Sequence, residues 1–448
     1  MSMKTVLRWV SFTLLLVCLS WPYQVRAQQH TVKVVRVVSP GGIEAWLVSD
    51  HINPIINMRF AFKGGASLDP VAKEGLANMV SGLLDEGAGD LDSQSFQRQL
   101  EDLSVTIRFE AGRDTFGGRL KTLTDNRENA FQLLKDAINK PRFDDEPVSR
   151  IRAQILASLR RSSQDPGSVA GLALSKELFP GHPYGRPVNG TPDTVKAIAV
   201  DDLKGFVARR LARDNLMIGV VGDIKPEELG RRLDQVFATL PKNSMASKVK
   251  EVEPAGSGRT RVIEMAVPQS SIAFAQKGLK RDDANFYTAY VLNHMLGGGG
   301  FTSRLYNEVR EKRGLAYSIG SYLYPLRHAG LVQGYGGTAN ARVGEALKVL
   351  KSEWARMANT GVSAEELADA KTYLTGSFPL RLTSSGRIAS TLVAMQSEKL
   401  GIDYLDQRNR FIEAVTLEGV NRLAKSLLDP ENLVIVIVGT PDGVTSTR

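Results

Sequence analysis

Cysteine is nearly absent from this chain, and histidine is scarce. Of 448 residues only Cys18 is a cysteine, and it lies in the apolar stretch near the N-terminus. The remainder of the chain therefore has neither a disulfide nor a thiolate metal site. The chain has five histidines, and none has a second histidine four residues away, so no helix presents two imidazoles to one zinc ion. They are His30, His51, His182, His294 and His328.

Long apolar segments are also missing, except at the N-terminus. Residues 1–27 have the pattern of a secretory signal peptide: Lys4 and Arg8, an apolar run over 10–19, and a small-x-small ending at Ala27. The apolar run is shorter than the roughly 20 residues that span a bilayer, which makes a membrane anchor the less favoured alternative. We therefore expect an exported, periplasmic protein with no membrane span once the signal is removed.

Basic residues exceed acidic ones but do not cluster. The formal net charge is +9, and loss of Lys4, Arg8 and Arg26 with the signal peptide, which has no acid, leaves 9 − 3 = +6. Basic side chains are spread along the chain, which argues against nucleic acid as a partner. Mild attraction to acidic peptides or to an anionic membrane surface is an alternative that this charge leaves open.

The chain divides into two halves. Residues 241–258 (PKNSMASKVKEVEPAGSG) are polar and contain two prolines, as expected of a linker between domains at 31–240 and 259–448. Each half ends with a helical pattern followed by an apolar strand that stops at glycine, at Asn215 to Gly222 and at Asn432 to Gly439. This internal repeat indicates duplication of one structural unit.

The fold class follows from how strand and helix patterns mix. In the first half, strand patterns at 31–38, 43–48, 58–62, 105–109 and 115–120 are interleaved with helical ones. The helical patterns cover 75–84, 93–103, 126–138 and 148–161. Hairpins separated by helices predict an α+β class, with an antiparallel sheet covered by helices in each half.

The helix predicted over 75–84 has one apolar face directed at the core. Its other face carries Asn78, Ser81 and Gly82, at the spacing where His-x-x-Glu-His would hold zinc. An amide and a hydroxyl are poor zinc ligands beside imidazole and carboxylate, and glycine offers none. Taken on its chemistry alone, this is an ordinary packed helix that binds no metal.

Residues 75–87 (GLANMVSGLLDEG) resemble the inverted-motif helix of the pitrilysin/insulinase zinc peptidases, and residues 60–70 (FAFKGGASLDP) resemble the strand and turn before it. In active members His, Glu and His stand where this chain has Asn78, Ser81 and Gly82. A further glutamate ligand follows about 76 residues later, which corresponds to Ser158. The resemblance implies two homologous domains facing each other across a cavity. It also implies that this chain has lost every zinc ligand and binds no cofactor itself.

The second half resembles the same family more completely. Residues 296–319 (LGGGGFTSRLYNEVREKRGLAYSI) are similar to its C-terminal signature, in which an arginine and a tyrosine seven residues apart reach the substrate. Arg310 and Tyr317 match those positions. The pattern predicts a helix over 302–312, its end at Gly314, and a strand from Tyr317, so that both hydrogen-bond donors point at one spot. The alternative is that Arg310 pairs with a surface acid and Tyr317 is a core aromatic.

The four glycines of this signature have no Gly-Lys-Ser/Thr after them, which argues against a phosphate loop. We expect Gly297, Gly298, Gly299 and Gly300 to form a mobile loop at the mouth of the substrate cavity, with plain turn chemistry as the alternative. Residues 179–187 (FPGHPYGRP) also resemble a family segment. His182 within them has no base or ligand partner and is expected to be structural.

These patterns lead to a first hypothesis and two rivals. The first is a non-catalytic subunit, like the inactive subunit of two-subunit processing peptidases. It would form a heterodimer with a zinc-bearing homologue and supply Arg310, Tyr317 and the glycines to peptide substrates. The second is a structural or peptide-binding scaffold without a role in proteolysis. The third is an independent peptidase with a displaced metal site.

Overall fold

The structure, a computed structural model, describes residues 32–256 and 258–447. The predicted signal peptide, with Cys18, lies outside these residues, as does His30. Two sheets with flanking helices make up the described part of the chain. This confirms the predicted α+β class.

The first half builds a six-stranded sheet. Its strands are Val35–Val38 (β1), Glu44–Ser49 (β2), Ile55–Lys63 (β3), Thr106–Ala111 (β4), Thr115–Leu123 (β5) and Leu216–Gly222 (β6). The strand order is β1-β2-β6-β3-β5-β4, and β2 with β6 is the one parallel pair in this sheet. In β3 the side chains alternate as sequence periodicity requires: Met58 and Phe60 are buried in the core, while Asn57 and Arg59 point to the other face.

The second half builds a five-stranded sheet of related topology. Its strands are Thr260–Glu264 (β7), Gln269–Lys277 (β8), Ala316–Leu326 (β9), Ala329–Ala339 (β10) and Val434–Gly439 (β11). The order is β7-β11-β8-β10-β9, and β7 with β11 is parallel. The last strand of each half thus lies between one parallel and one antiparallel neighbour, which supports duplication. Each sheet is mixed rather than purely antiparallel, because this last strand returns from a helix and not through a hairpin.

Helices cover both sheets. Those of the first half are Leu76–Ser81 (α1), Ser93–Asp102 (α2), Arg127–Asn139 (α3), Asp145–Ser162 (α4), Pro166–Leu178 (α5), Pro192–Ala197 (α6), Val200–Arg210 (α7) and Pro226–Phe237 (α8). Those of the second half are Phe286–Asn293 (α9), Val343–Thr360 (α10), Ala364–Gly376 (α11), Ser385–Ser397 (α12), Tyr404–Glu413 (α13) and Leu417–Leu427 (α14). Over residues 32–256 and 258–447, the helices are too short or too polar to cross a membrane.

Each half contributes one helix to the sheet of the other half. Helix α5 packs on β8 and β11, where Ala173 and Leu174 join Ala273 and Val436 in one buried cluster. Helix α12 packs on β6, where a Cβ on Gly219 would lie only 2.5 Å from a backbone oxygen of the helix. Because β6 and β11 are covered on both faces, they form continuous apolar runs rather than alternating ones.

The two hairpin turns also meet. Asp114, in the turn between β4 and β5, accepts hydrogen bonds from the Tyr184 hydroxyl (2.8 Å) and from the backbone N–H of Arg327 (3.3 Å), in the turn between β9 and β10. Residues 241–256 connect the halves without helix or strand, and the N–H of Ala255 donates to the carbonyl of Leu178. The N–H of Val252 donates to the carbonyl of His328 (3.0 Å), so the segment is tied to both halves.

Candidate functional site

Four positions line one cavity, and at them the family resemblance implies the loss of three zinc ligands and of the carboxylate that would activate water. Asn78, Ser81 and Gly82 come from α1 and its C-terminal cap, and Ser158 comes from α4 across the cavity. The cavity has a volume of about 390 Å³, and Phe109 of the edge strand β4 forms part of its wall. The family resemblance therefore identified residues that the fold brings together over a separation of 80 positions, from 78 to 158.

Helix α1 is short and is held at its N-terminus by a buried carboxylate. The backbone N–H of Ala77 donates to Asp69 (3.1 Å), and Arg210 pairs with the same carboxylate at 2.9 Å. A negative charge beside the first turn stabilises a helix, because the unpaired N–H groups there carry partial positive charge. The helix ends at Ser81, earlier than the predicted end at 84.

The side chains in this cavity do not fit a zinc ion. The hydroxyl of Ser81 donates to the backbone carbonyl of Asn78 (2.8 Å), so it is already engaged within its own helix. Gly82 has no ligand atom, and Ser158 is exposed. Neutral amide and hydroxyl oxygens lack the donor strength of imidazole, thiolate or carboxylate. Across residues 32–256 and 258–447, no three His, Cys, Asp or Glu side chains are grouped to hold a metal ion.

Position 82 is also closed by packing. A Cβ added at Gly82 would lie 3.1 Å from Cγ2 of Ile151, a buried residue of α4. Real Cβ atoms rarely approach a neighbour so closely, so a larger side chain here requires Ile151 to move. Glycine at position 82 is therefore matched by Ile151 of α4, which occupies the space that a larger side chain would need.

A smaller polar cavity of about 280 Å³ shares Ser81, Gly82 and Phe109 with the first, and sequence reasoning missed it. Its wall contains Asp85 and Glu86, and each carboxylate is paired with an arginine: Asp85 with Arg108 at 2.8 Å and Glu86 with Arg150 at 2.7 Å. The signal was present in the sequence, since the two acids directly follow the helix predicted over 75–84.

The two carboxylates titrate differently. Burial raises the pKa of Asp85 to about 6, although the charge of Arg108 opposes this. Burial also acts to raise the pKa of Glu86, but hydrogen bonds from Arg150 and Ser93 outweigh it, so that this pKa is lowered. Both carboxylates are thus committed to arginines of the protein.

The second half presents Arg310 and Tyr317 together, as the sequence predicts. The Arg310 guanidinium lies 4.9 Å from the Tyr317 ring centre, 4.7 Å from that of Tyr306 and 5.9 Å from that of Phe301. Tyr317 is 79% exposed and Phe301 is 77% exposed. Of these rings only Tyr317 was predicted from the sequence. The position of Phe301, directly after the four glycines, was the available signal.

The local backbone conformation brings Arg310 and Tyr317 side by side. Residues Tyr306–Glu311 form a π-helical turn, a rare form often found at functional sites, so the helix predicted over 302–312 is α-helical only at 304–305. Gly314 adopts a left-handed φ of 59°, and its N–H donates to the Arg310 carbonyl at 2.8 Å. Glycine reverses the chain there at low cost, which lets β9 start beside Arg310.

The glycine run is not a free loop. Residues His294–Gly298 form a second π-helical turn, and a Cβ on Gly297 would lie 2.4 Å from the Ser321 hydroxyl on β9. Gly298 and Gly299 pack closely against Asn293 and His294. Close packing therefore explains why glycine is needed at the first three positions. These three residues do not form the expected mobile loop. Gly300 is exposed, with a φ of 58° and open space around it.

The two sets of predicted site residues do not share a cavity. All residues that line the cavity at Asn78 belong to the first half, whereas Arg310 and Tyr317 belong to the second. His182 is a structural residue as expected: its Nδ1 accepts the backbone N–H of Tyr184 (3.2 Å) and so caps a short helical turn.

Comparisons with known proteins agree with these observations. Residues 45–192 match the family described as Insulinase (Peptidase family M16), and residues 197–374 match Peptidase M16 inactive domain. A non-peptidase homolog (YmxG) of Helicobacter pylori is 26% identical over 393 residues, which cover 87% of this chain and 90% of that one. An uncharacterized zinc protease of Streptomyces coelicolor is 26% identical over 416 residues, 89% of this chain and 88% of that one.

Solved structures show the same similarity. The crystal structure of a peptidase M16 inactive domain from Pseudomonas fluorescens superposes with a TM-score of 0.85 and 31% identity, over 93% of this chain and 99% of that chain. A protease from Helicobacter pylori gives a TM-score of 0.82 at 17% identity, over 91% of this chain and 100% of that chain. The second match shows the shared fold alone.

Proposed function

This chain belongs to the M16 peptidase family, and on that premise we propose that it is a non-catalytic subunit of a zinc-dependent peptidase. It pairs with a zinc-bearing homologous chain and supplies Arg310 and Tyr317 to a shared substrate cavity. One contrast carries the proposal: the cavity at Asn78 offers no zinc ligand, while the Arg310–Tyr317 pair is assembled and open to solvent. Its similarity to an M16 inactive domain supports the non-catalytic part.

The chemistry of the pair suits a peptide substrate. A guanidinium and a phenol hydroxyl are both donors, and together they can hold a peptide carbonyl oxygen and stabilise the negative charge that develops on it. The rings of Phe301 and Tyr306 beside Arg310 restrict its side chain before substrate arrives, which lowers the entropy lost on binding. Arg310 approaches Glu311 only to 3.9 Å, so within residues 32–256 and 258–447 no tight ion pair holds the guanidinium.

We also propose that the subunit works in the periplasm after removal of residues 1–27. N-terminal sequencing of the native protein, combined with cell fractionation, tests this. The expected result is a periplasmic chain that begins at Gln28. A chain that retains Met1 and fractionates with the cytoplasm would contradict export.

The subunit assignment is tested by reconstitution. The native protein is purified from the periplasm with its associated chains, and peptide hydrolysis and zinc content are measured for each chain alone and for the mixture. We expect stoichiometric zinc in the partner only, and full hydrolysis only in the mixture. Stoichiometric zinc in this chain would support an independent peptidase instead.

Arg310→Ala tests the shared site directly. We expect kcat/KM of the mixture to fall by about 10²-fold, the usual cost of removing a donor to a developing oxyanion. The matched control is Arg422→Ala, since Arg422 is exposed on α14 in an i,i+4 pair with Glu418. If Arg310→Ala leaves turnover unchanged while the complex still forms, the chain acts as a scaffold.

A further inference from the structure

The largest cavity described here lies away from both sets of residues discussed above. It has a volume of about 790 Å³ and is enclosed by the C-terminal end of α4, by α5, by residues 187–196 and by β7 of the second half. Its apolar walls include Leu156, Leu159, Leu172, Val188 and Ile263. This volume falls within the range of small-molecule sites, which are lined mainly by apolar side chains.

Helix α5 is apolar on two sides, although only one side is covered by protein. Its Ala170, Ala173 and Leu174 are buried against the second sheet. Its Val169 and Leu172 line the cavity and are only half-buried. Apolar side chains on a helix normally pack against other apolar groups. The apolar side that faces the cavity therefore indicates that a further apolar group covers it.

The charged side chains around the cavity are all cations. Arg160, Lys176, Lys196 and Arg261 line it, are exposed and so lie at its mouth, and its lining includes neither Asp nor Glu. Arg261 is paired with Glu177 at 2.7 Å. The other three cations have no carboxylate oxygen within 4.0 Å among residues 32–256 and 258–447. The mouth is therefore complementary to an anion.

We infer that this cavity binds a small anionic amphiphile, with its apolar chain inside and a carboxylate or phosphate head at Arg160, Lys176 and Lys196. A peptide fits less well, because each of its residues adds two backbone polar groups that need partners. On β7, which lines the cavity, several such groups are already engaged: the N–H of Val262 donates to Ser446, and the carbonyl of Thr260 accepts from Thr447.

Gly171→Leu tests the apolar part without damaging the fold. Gly171 lies on α5 and lines the cavity, and a Cβ there meets no atom within 4 Å, so leucine fills the cavity without a clash. Leucine is also a better helix former than glycine, so thermal stability should not fall. The matched control is Gly376→Leu, at the end of α11, where a Cβ also has open space but lies outside this cavity.

The probe is cis-parinaric acid, whose fluorescence rises in apolar surroundings, displaced by dodecanoate, dodecyl phosphate or dodecanol. We expect one bound probe per wild-type chain, unchanged affinity in Gly376→Leu and affinity lower by about tenfold or more in Gly171→Leu. Comparing the affinities for dodecanoate and dodecyl phosphate shows whether the site prefers a carboxylate or a phosphate head. Equal affinity for wild type and Gly171→Leu would overturn the site.

The anionic part has its own test. The double variant Lys176→Gln/Lys196→Gln should weaken dodecanoate and dodecyl phosphate by about tenfold and leave dodecanol unchanged. Lys225→Gln/Lys425→Gln is the charge-matched control at exposed positions away from the cavity. If dodecanol binds wild type as tightly as dodecanoate, the preference for an anion is wrong. If an acidic peptide displaces the probe while dodecanoate does not, the amphiphile proposal is overturned.

Discussion

The guanidinium of Arg310 lies 4.9 Å from the ring centre of Tyr317, although Tyr317 exposes most of its surface. Tyr306 and Phe301 approach the same guanidinium. Among the residues that the structure describes, aromatic rings rather than a tightly paired carboxylate therefore orient Arg310. A cation beside ring faces keeps donor N–H groups available, whereas a bidentate carboxylate would consume two of them. The arrangement holds Arg310 in place and leaves it able to bind a further group.

Tyr317→Phe separates the ring from the hydroxyl. The phenyl ring still packs beside Arg310, so the free energy of unfolding should change by less than about 0.5 kcal/mol. If the hydroxyl donates to substrate, kcat/KM of the reconstituted complex should fall by about 10²-fold. Steady-state kinetics with the zinc-bearing partner, together with urea unfolding of the variant, measure both. Wild-type turnover in Tyr317→Phe but not in Tyr317→Ala would assign the role to the ring.

Gly82→His tests whether packing has closed the former ligand position. A side chain at residue 82 meets Cγ2 of Ile151, so the variant should lose about 1–3 kcal/mol of unfolding free energy. In a double-mutant cycle with Ile151→Ala, the cost of Gly82→His should shrink by a similar amount, because the obstructing methyl group is gone. Urea unfolding of the four proteins gives the coupling.

The control for this cycle is Gly376→His, which adds the same side chain at an open position. It should cost little in either Ile151 background. Additive costs for Gly82→His and Ile151→Ala would mean that the two residues do not collide, and the structural account of position 82 would be wrong.

Local patterns predicted more of the molecule than did contacts between distant segments. The helical spacing and the helix end at Gly314 predicted that Arg310 and Tyr317 lie together, because both belong to one helix–turn–strand unit. The shared cavity of Asn78 and Ser158 followed from the family resemblance. The parallel pairing of β2 with β6 was not predicted, because it depends on how a helix returns the chain to the sheet.

The exchange of helices between halves also left no pattern in the sequence. The pattern of α5 shows that it is apolar, but it does not show that its partner is the second sheet. Likewise, Ile151 lies 69 positions after Gly82, so the contact between them depends on how α4 crosses α1. The pairing of Asp85 with Arg108 needs the edge strand in place beside the helix. Such contacts are set by tertiary packing, on which local spacing carries no information.

Asp85 should make stability depend on pH in an unusual direction. Its folded pKa is about 6, above the value of about 3.9 expected for an unfolded chain. Between those values the folded state binds more protons, so this residue lowers the free energy of unfolding as pH rises from 4 to 6. Asp85→Asn should remove that slope and be more stable than wild type at pH 7.5, by on the order of 2 kcal/mol.

The difference between wild type and Asp85→Asn, measured by urea unfolding from pH 4 to pH 7.5, isolates this carboxyl from all others. The amide oxygen that the substitution introduces can still accept a hydrogen bond from Arg108, which is half exposed and stays hydrated. Asp144→Asn is the matched control, because Asp144 pairs with Arg142 at the surface. If Asp85→Asn is less stable than wild type at pH 7.5, the ion pair with Arg108 outweighs burial.

Tyr184 should hold the two halves together through its hydroxyl. The side chain is fully buried, and its hydroxyl donates to Asp114 (2.8 Å) and accepts the backbone N–H of His328 (3.1 Å) from the other half. Burial, together with the negative charge of Asp114, raises the pKa of Tyr184 well above its usual range, so the hydroxyl stays protonated. Tyr184→Phe leaves a buried N–H without its acceptor and should cost about 1–3 kcal/mol in urea unfolding.

The control is Tyr373→Phe, at an exposed position, which should change the free energy of unfolding by less than about 0.5 kcal/mol. Equal urea midpoints for Tyr184→Phe and wild type would show that this hydroxyl does not stabilise the contact between the halves.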